Sequence, residues 1–167
     1  MRMALPDYNF VFCSDSASFH REYDALLSSL IGLTVCRVHA VWNRIDNTWF
    51  LDAPMLIEFE QATLAIWTLG SGKIALNWND INLEEKPKWF DEPPKELNWK
   101  EDLVWREYID LQNKRVSGFQ LLTESIGLIV AFDDGSSVGI VNYWDTTDAF
   151  TGEILEKYIA NPFSVVR

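Results

Sequence analysis

One pattern occurs twice in this chain, and it limits the possible folds more than any other feature of the sequence. The first copy is Ile57-Glu58-Phe59, a polar turn Glu60-Gln61-Ala62-Thr63, then Leu64-Ala65-Ile66. The second is Val130-Ala131-Phe132, the turn Asp133-Asp134-Gly135-Ser136-Ser137, then Val138-Gly139-Ile140. Each is an alternating apolar run ending in Phe, a short polar reversal and a second alternating run, which is how a β-hairpin is written in sequence. A lone hairpin cannot bury its apolar face in water. Duplication therefore predicts two related sheet-forming halves. Leu30-Ile31-Gly32-Leu33 leads into the first meander and Val116-Ser117-Gly118-Phe119 into the second, with Asn43 to Asp52 as an insertion in the first. The halves span 30–78 and 112–145, joined by an acidic connector over 79–102, within a single domain over 1–167.

The remaining elements follow from spacing and punctuation. Tyr8 to Cys13 alternates as a first strand, and Ser14-Asp15-Ser16 offers N-cap side chains. Phe19, Tyr23, Leu26, Leu27 and Leu30 recur at helical spacing and Gly32 follows as a C′ residue, so residues 16–30 form a helix. Leu33 to Trp42, Thr48 to Leu51, Lys73 to Trp78 and Lys114 to Thr123 read as strands, Asp102 to Asp110 as a short helix, and Glu153 to Ala160 as a helix stopped by Asn161-Pro162. The fold class is α+β, with antiparallel sheet dominant, an N-terminal helix and a short C-terminal helix.

The connector differs in character. Asp80, Glu84, Glu85, Asp91 and Glu92 lie among Pro87, Pro93 and Pro94, punctuated by Trp89, Phe90 and Trp99. Prolines so placed deny a continuous helix or a central strand, so the connector is expected to be a long surface excursion. The formal net charge of −11 repels phosphate backbones and argues against nucleic acid as a partner. Pro6, Asp7 and Asn9 interrupt any apolar leader, and no stretch approaches a membrane span. Cys13 and Cys36 make neither a disulfide framework nor a zinc pattern. A cytoplasmic setting is the expectation, with no membrane partner.

Trp105-Arg106, Arg115-Val116-Ser117-Gly118, the run from Ile129 to Gly135 and Asn142-Tyr143-Trp144-Asp145 together resemble small bacterial proteins of uncharacterised families. Some of those are similar to the immunity proteins encoded beside polymorphic toxins. The resemblance implies a binding protein rather than an enzyme, and it transfers no catalytic residue.

Residues that carry chemistry elsewhere read as structure here. His20 and His39 lack ligand spacing, and Cys36 and His39, three apart on a strand, point to opposite faces. Gly70-Ser71-Gly72-Lys73 lacks the earlier Gly and the following Ser or Thr of a phosphate loop, so it is a hairpin turn. Asp133 to Ser137 places Gly135 too early for a calcium loop. Carboxylate pairs such as Asp91-Glu92 beside Trp89 and Trp99 have the parts of a glycosidase but no fixed separation. No cofactor and no catalytic residue are assigned.

The leading expectation is a non-catalytic protein-binding module, of the toxin-neutralising kind. Asp80, Glu84, Glu85, Asp91 and Glu92 would steer a basic protein partner, and Trp89, Phe90 and Trp99 would anchor it. The competing reading of those rings is that they fold inward and staple the loop. The competing function is a small-ligand or carbohydrate binder, or a hydrolase, with Trp42, Trp49, Trp67 and Trp78 lining one sheet face. A homo-oligomer burying aromatic patches is left open.

Overall fold

The computed structural model describes residues 10–87, 96–101, 110–122, 127–143 and 146–161. Helix α1, Ser16–Leu30, starts where Asp15 Oδ1 accepts the Ser18 N–H at 2.8 Å, an N-cap bond that satisfies one of the helix's orphan donors. It ends at Ile31, and Gly32 takes φ +89, as the sequence predicts. Phe19, Tyr23, Leu27 and Leu30 form its buried stripe.

The first sheet contains β1 (Val35–Asn43), β2 (Thr48–Trp49), β3 (Met55–Phe59), β4 (Ala62–Leu69), β5 (Lys73–Trp78) and β6 (Leu97–Glu101). All its pairings are antiparallel. Trp42 of β1 pairs with both Trp49 and Asn98, so β2 and β6 flank opposite edges of β1. His39 pairs with both Leu56 and Glu101, which puts β3 on the β2 side. The second sheet runs β10-β9-β8-β7, built from β7 (Val116–Leu122), β8 (Gly127–Phe132), β9 (Ser137–Tyr143) and β10 (Thr146–Thr151). Helix α2, Gly152–Ala160, follows. No helix among the described residues is long and apolar enough to cross a membrane.

The two meanders share one register. Val35 pairs with Phe59 and Val116 with Phe132, and in both cases the register slips at the next position, between Val35 and Arg37 and between Val116 and Gly118. A β-bulge adds one residue to one strand only, so a bulge at the same place in both sheets fixes the correspondence β1–β7, β3–β8, β4–β9, β5–β10. Val116 thus corresponds to Val35 and not to Leu30, which corrects the leader alignment made from sequence. The side chain pattern agrees. Val35, Ile57, Phe59, Leu64, Ile66 and Leu76 of the first sheet meet Val116, Val130, Phe132, Val138, Ile140 and Ala149 of the second in one core, which α1 also enters.

The halves are stitched across a short seam. Thr34 bridges Arg115, Val35 donates to Lys114 O and Val116 to Leu33 O, each at 2.9 Å. On the second sheet's outer face Leu155 and Tyr158 of α2 pack against Ile129, Val141, Tyr143 and Phe150. Gly139 permits that approach, since a Cβ there would collide with Leu155 Cδ1.

Three expectations change. Residues 10–12 form no strand, and only Cys13 bridges, exchanging backbone bonds with Ile74 at 2.8 and 3.0 Å. The connector is not loop throughout, because β6 occupies Leu97–Glu101 at an edge of β1, clear of all three connector prolines. Strand β10 was not legible as a strand: its run Thr-Thr-Asp-Ala-Phe-Thr lacks clean alternation. The helix expected over 102–110 lies outside the described residues but for Asp110.

Candidate docking surface

The outer face of the first sheet is apolar at its centre and would be exposed if nothing covered it. Leu56 and Ala65 pair across β3 and β4 and are buried beneath Ile81, Leu83, Phe10 and Trp99. Trp67 is 2% exposed, enclosed edge-on by Phe10 and Phe12 with centroids 5.1 and 5.5 Å away. The cover after β5 is set by local polar bonds. Asn79, at φ 60, bonds both ways with the Thr63 backbone, at 3.0 and 2.8 Å, which turns the chain off the strand. Asn82 Oδ1 then accepts the Glu84 N–H at 3.0 Å, an Asx turn, and Asn82 O accepts from Glu85 N at 3.1 Å.

This path sorts the side chains. Ile81 and Pro87 are buried and Leu83 half-buried, while Asp80, Glu84 and Glu85 face solvent. Asp80 accepts from Asn77 Nδ2 at 2.9 Å and Glu85 from Asn82 Nδ2 at 3.2 Å. No described Lys or Arg forms an ion pair with any of the three. With exposed Lys86 as the one described cation in the segment, they present net negative charge from a stretch pinned to the sheet by Asn77, Asn79 and Asn82.

Of the sequence-predicted site residues, Asp80, Glu84 and Glu85 share this exposed rim. Trp99 does not belong to a loop. It sits on β6 opposite Val41, half-buried against Ala53, Leu97 and Phe50 on one side and the Leu56–Ala65 cluster on the other. Its ring packs β6 against the sheet. Trp89, Phe90, Asp91 and Glu92 lie outside the described residues.

Trp42, Trp49, Trp67 and Trp78 do not form a single aromatic platform. Trp78 pairs with Leu64 and packs with Phe59 on the core side, and Trp49 also packs against the core. Trp67 lies on the opposite face. Trp42 meets Trp49 edge-on at 4.9 Å, and the Lys100 ammonium stands 3.9 Å from the Trp42 centroid, a cation–π contact.

The same outer face carries a charge group that the sequence reading missed. Arg37 and Glu58 are register partners, as are His39 and Glu101. The bonds cross between those pairs: Arg37 Nη1 donates to Glu101 Oε1, and His39 Nε2 lies against Glu58 Oε2, both at 2.7 Å. The alternation of Arg37 with His39 on one strand was the available signal. His39 is buried and engaged by Glu58, not by Cys36.

The two apparent motifs are turns. Gly72, at φ 77, donates to Leu69 O at 3.0 Å and closes the β4–β5 hairpin. Asp134 accepts from Ser136 N and binds the Lys114 ammonium, which also reaches Ser136 Oγ at 2.9 Å. Lys114 and the Ser136 bonds hold the Asp134 carboxyl well below the usual carboxylate range. No protein-family model, curated protein or solved structure matches this chain.

Proposed function

We propose that this chain is a non-catalytic binding module that docks a basic protein through the acidic rim over its first sheet. The observation that carries the reading is the sorting of residues 80–87, with Ile81 and Pro87 turned in and Asp80, Glu84 and Glu85 turned out beside the single exposed Lys86, none of the three ion-paired with a described Lys or Arg. An exposed cluster of one sign speeds encounter with an oppositely charged partner and does so most at low salt. The net charge of −11 extends that field over the molecule. The resemblance to immunity proteins supplies the partner class, a basic toxin domain. A cytoplasmic setting goes with this reading, the thiols of Cys13 and Cys36 being free.

The test uses the full chain, immobilised, to capture its partner from the native cell at low salt. Association of the captured protein is then timed against ionic strength for the chain and for the triple variant Asp80→Asn, Glu84→Gln, Glu85→Gln. Slower association with a flatter salt dependence is expected of the variant. Identical rates and slopes reject the acidic rim as the docking element.

A further inference from the structure

The register of the first sheet brings Trp42, Trp49 and Lys100 to one corner. Trp42 and Trp49 are direct partners across β1 and β2, and Lys100 of β6 pairs with Ala40, two residues before Trp42 on the same strand. Paired residues share a face and residues two apart return to it, so all three side chains lie on one side of the sheet. The indoles meet edge-on, with centroids 4.9 Å apart and planes at 85°. The Lys100 ammonium stands over both rings, 3.9 Å from the Trp42 centroid and 5.5 Å from that of Trp49. Two indoles at a right angle around a cation are two walls of an aromatic cage.

Packing does not account for the corner. Of the described tryptophans, Trp49, Trp67, Trp78 and Trp99 each pack on a core cluster, and Trp42 joins none. Strand β6 is held to β1 by a continuous ladder from Leu97 to Glu101, which has no need of a pin at Lys100. Lys100 is itself exposed, and no described carboxylate pairs with its ammonium. The ring pair is what engages that cation.

We propose that the Trp42–Trp49 corner is a receptor for a quaternary, methylated ammonium head, and that Lys100 is the tethered cation which that head displaces. The occupant seen in the corner sets the class of ligand, since the rings already hold an alkylammonium. A primary ammonium is compact and strongly hydrated, so on an exposed corner it keeps its water and is held weakly. Methyl groups remove the N–H donors and add apolar surface against the indoles, so a methylated head outcompetes Lys100. The net charge of −11 concentrates cations around the molecule. This site uses none of Asp80, Glu84 or Glu85, so it stands or falls apart from the acidic rim.

The probe is choline, titrated into the full isotope-labelled chain, with the Trp42 indole N–H and the Lys100 ε-methylene read by NMR. Ring currents shift the methylene upfield while it lies over Trp42. Choline is expected to release it toward the ordinary lysine position as the Trp42 signal moves. The uncharged isostere 3,3-dimethylbutanol is expected to bind about fivefold more weakly or worse, because it lacks the attraction of a cation for the rings. Lys100→Gln removes the tethered competitor and is expected to tighten choline binding by about threefold or more. Trp42→Leu is expected to abolish binding, with thermal unfolding reporting its fold, and the Lys100→Gln result stands without it. A trimethyl-lysine peptide that binds more tightly than choline assigns the head to a protein side chain, and no gain over choline assigns it to a free amine. Lys100 and Trp42 signals that stay in place overturn the proposal, as do equal binding of the isostere and choline shifts confined to Asp80–Glu85. Affinity that is unchanged or weaker in Lys100→Gln also overturns it, since Lys100 is then part of the wall and not the occupant.

Discussion

Gly32 and Asn113 occupy one position in two copies of the same unit. Both have positive φ, 89° and 65°, and each donates its N–H to the first residue of the other half's leading strand, Gly32 to Val116 O at 2.8 Å and Asn113 to Val35 O at 2.9 Å. Left-handed backbone is open chiefly to Gly and, among other residues, to Asn. The two residue types therefore solve one geometric problem, and the bonds they place hold the halves together.

Gly32→Ala should then destabilise the protein by about 1–2 kcal/mol, the cost of a Cβ in left-handed backbone. The added carbon would also meet Arg115 Nη2 at 3.3 Å, beside the bond that Arg115 Nε gives Gly32 O. Asn113→Gly should change stability by no more than about 0.5 kcal/mol, because the backbone need is already met. Urea unfolding of both variants checks the pair, and equal losses would refute the equivalence.

Stability should fall at both ends of the pH scale for separate reasons. Lys114 and Ser136 depress the Asp134 carboxyl, and the Ser18 bonds depress Asp15, both below the ordinary 3.8. A depressed carboxyl stabilises the fold above its unfolded value, and that contribution drains as pH falls through the folded value. Burial pushes the Tyr23 hydroxyl, which donates to Val11 O, up to about 12. Its contribution is whole below the ordinary 10.0 and is lost as pH rises through about 12. Melting temperature against pH should show a flatter acid limb in Asp134→Asn and a flatter alkaline limb in Tyr23→Phe.

Much of this architecture was legible because local signals agreed with the global fold. The α1 limits, the hairpins and the turns at Gly72 and Gly135 were carried by caps, alternation and glycine placement, all of which act within a few residues. What failed was set by distant partners. Nothing near Leu97–Glu101 announces a strand; the edge of β1, far back in the chain, makes it one. The same holds for the crossed bonds of Arg37, His39, Glu58 and Glu101, which register alone brings together. The acidic rim was half legible: Asp80, Glu84 and Glu85 announced charge, but only the fold shows Ile81 and Pro87 turned beneath them.

Gly139→Ala should loosen α2 by driving a methyl into Leu155 Cδ1, with a loss of about 1–3 kcal/mol, as overpacking costs. Leu155→Ala alone opens a cavity among Val141, Tyr143 and Phe150. The double variant should lose less than the sum of the two, since each relieves the other. Strict additivity in a double-mutant cycle would show that the two residues do not meet.

Glu58→Leu should cost about 1–3 kcal/mol, because it strips the partner from the buried His39 Nε2. Adding His39→Phe should recover part of that loss, since no buried polar atom is then left unpaired. Arg37→Ala should have no measurable effect, because its pair with Glu101 is open to water on both sides. Denaturant midpoints of the four proteins decide the matter.

Trp99 decides whether β6 is scaffold or anchor. Its ring contacts two clusters, one with Val41, Ala53 and Leu97, the other with Leu56, Ala65 and Ile81, so its removal exposes apolar surface on both. Trp99→Ala should lower stability by about 2–4 kcal/mol, somewhat under the cost for a fully buried Trp because the ring is only half-buried. Amide exchange along Leu97–Glu101 should quicken first, since an edge strand paired on one side only and stripped of its largest packing ring opens before the sheet does. Partner association at temperatures well below the variant's melting point should keep the salt dependence of the parent chain, because Asp80, Glu84 and Glu85 hang on Asn77, Asn79 and Asn82 and not on Trp99. A variant of unaltered stability whose association is abolished would make the ring a contact residue instead of a staple.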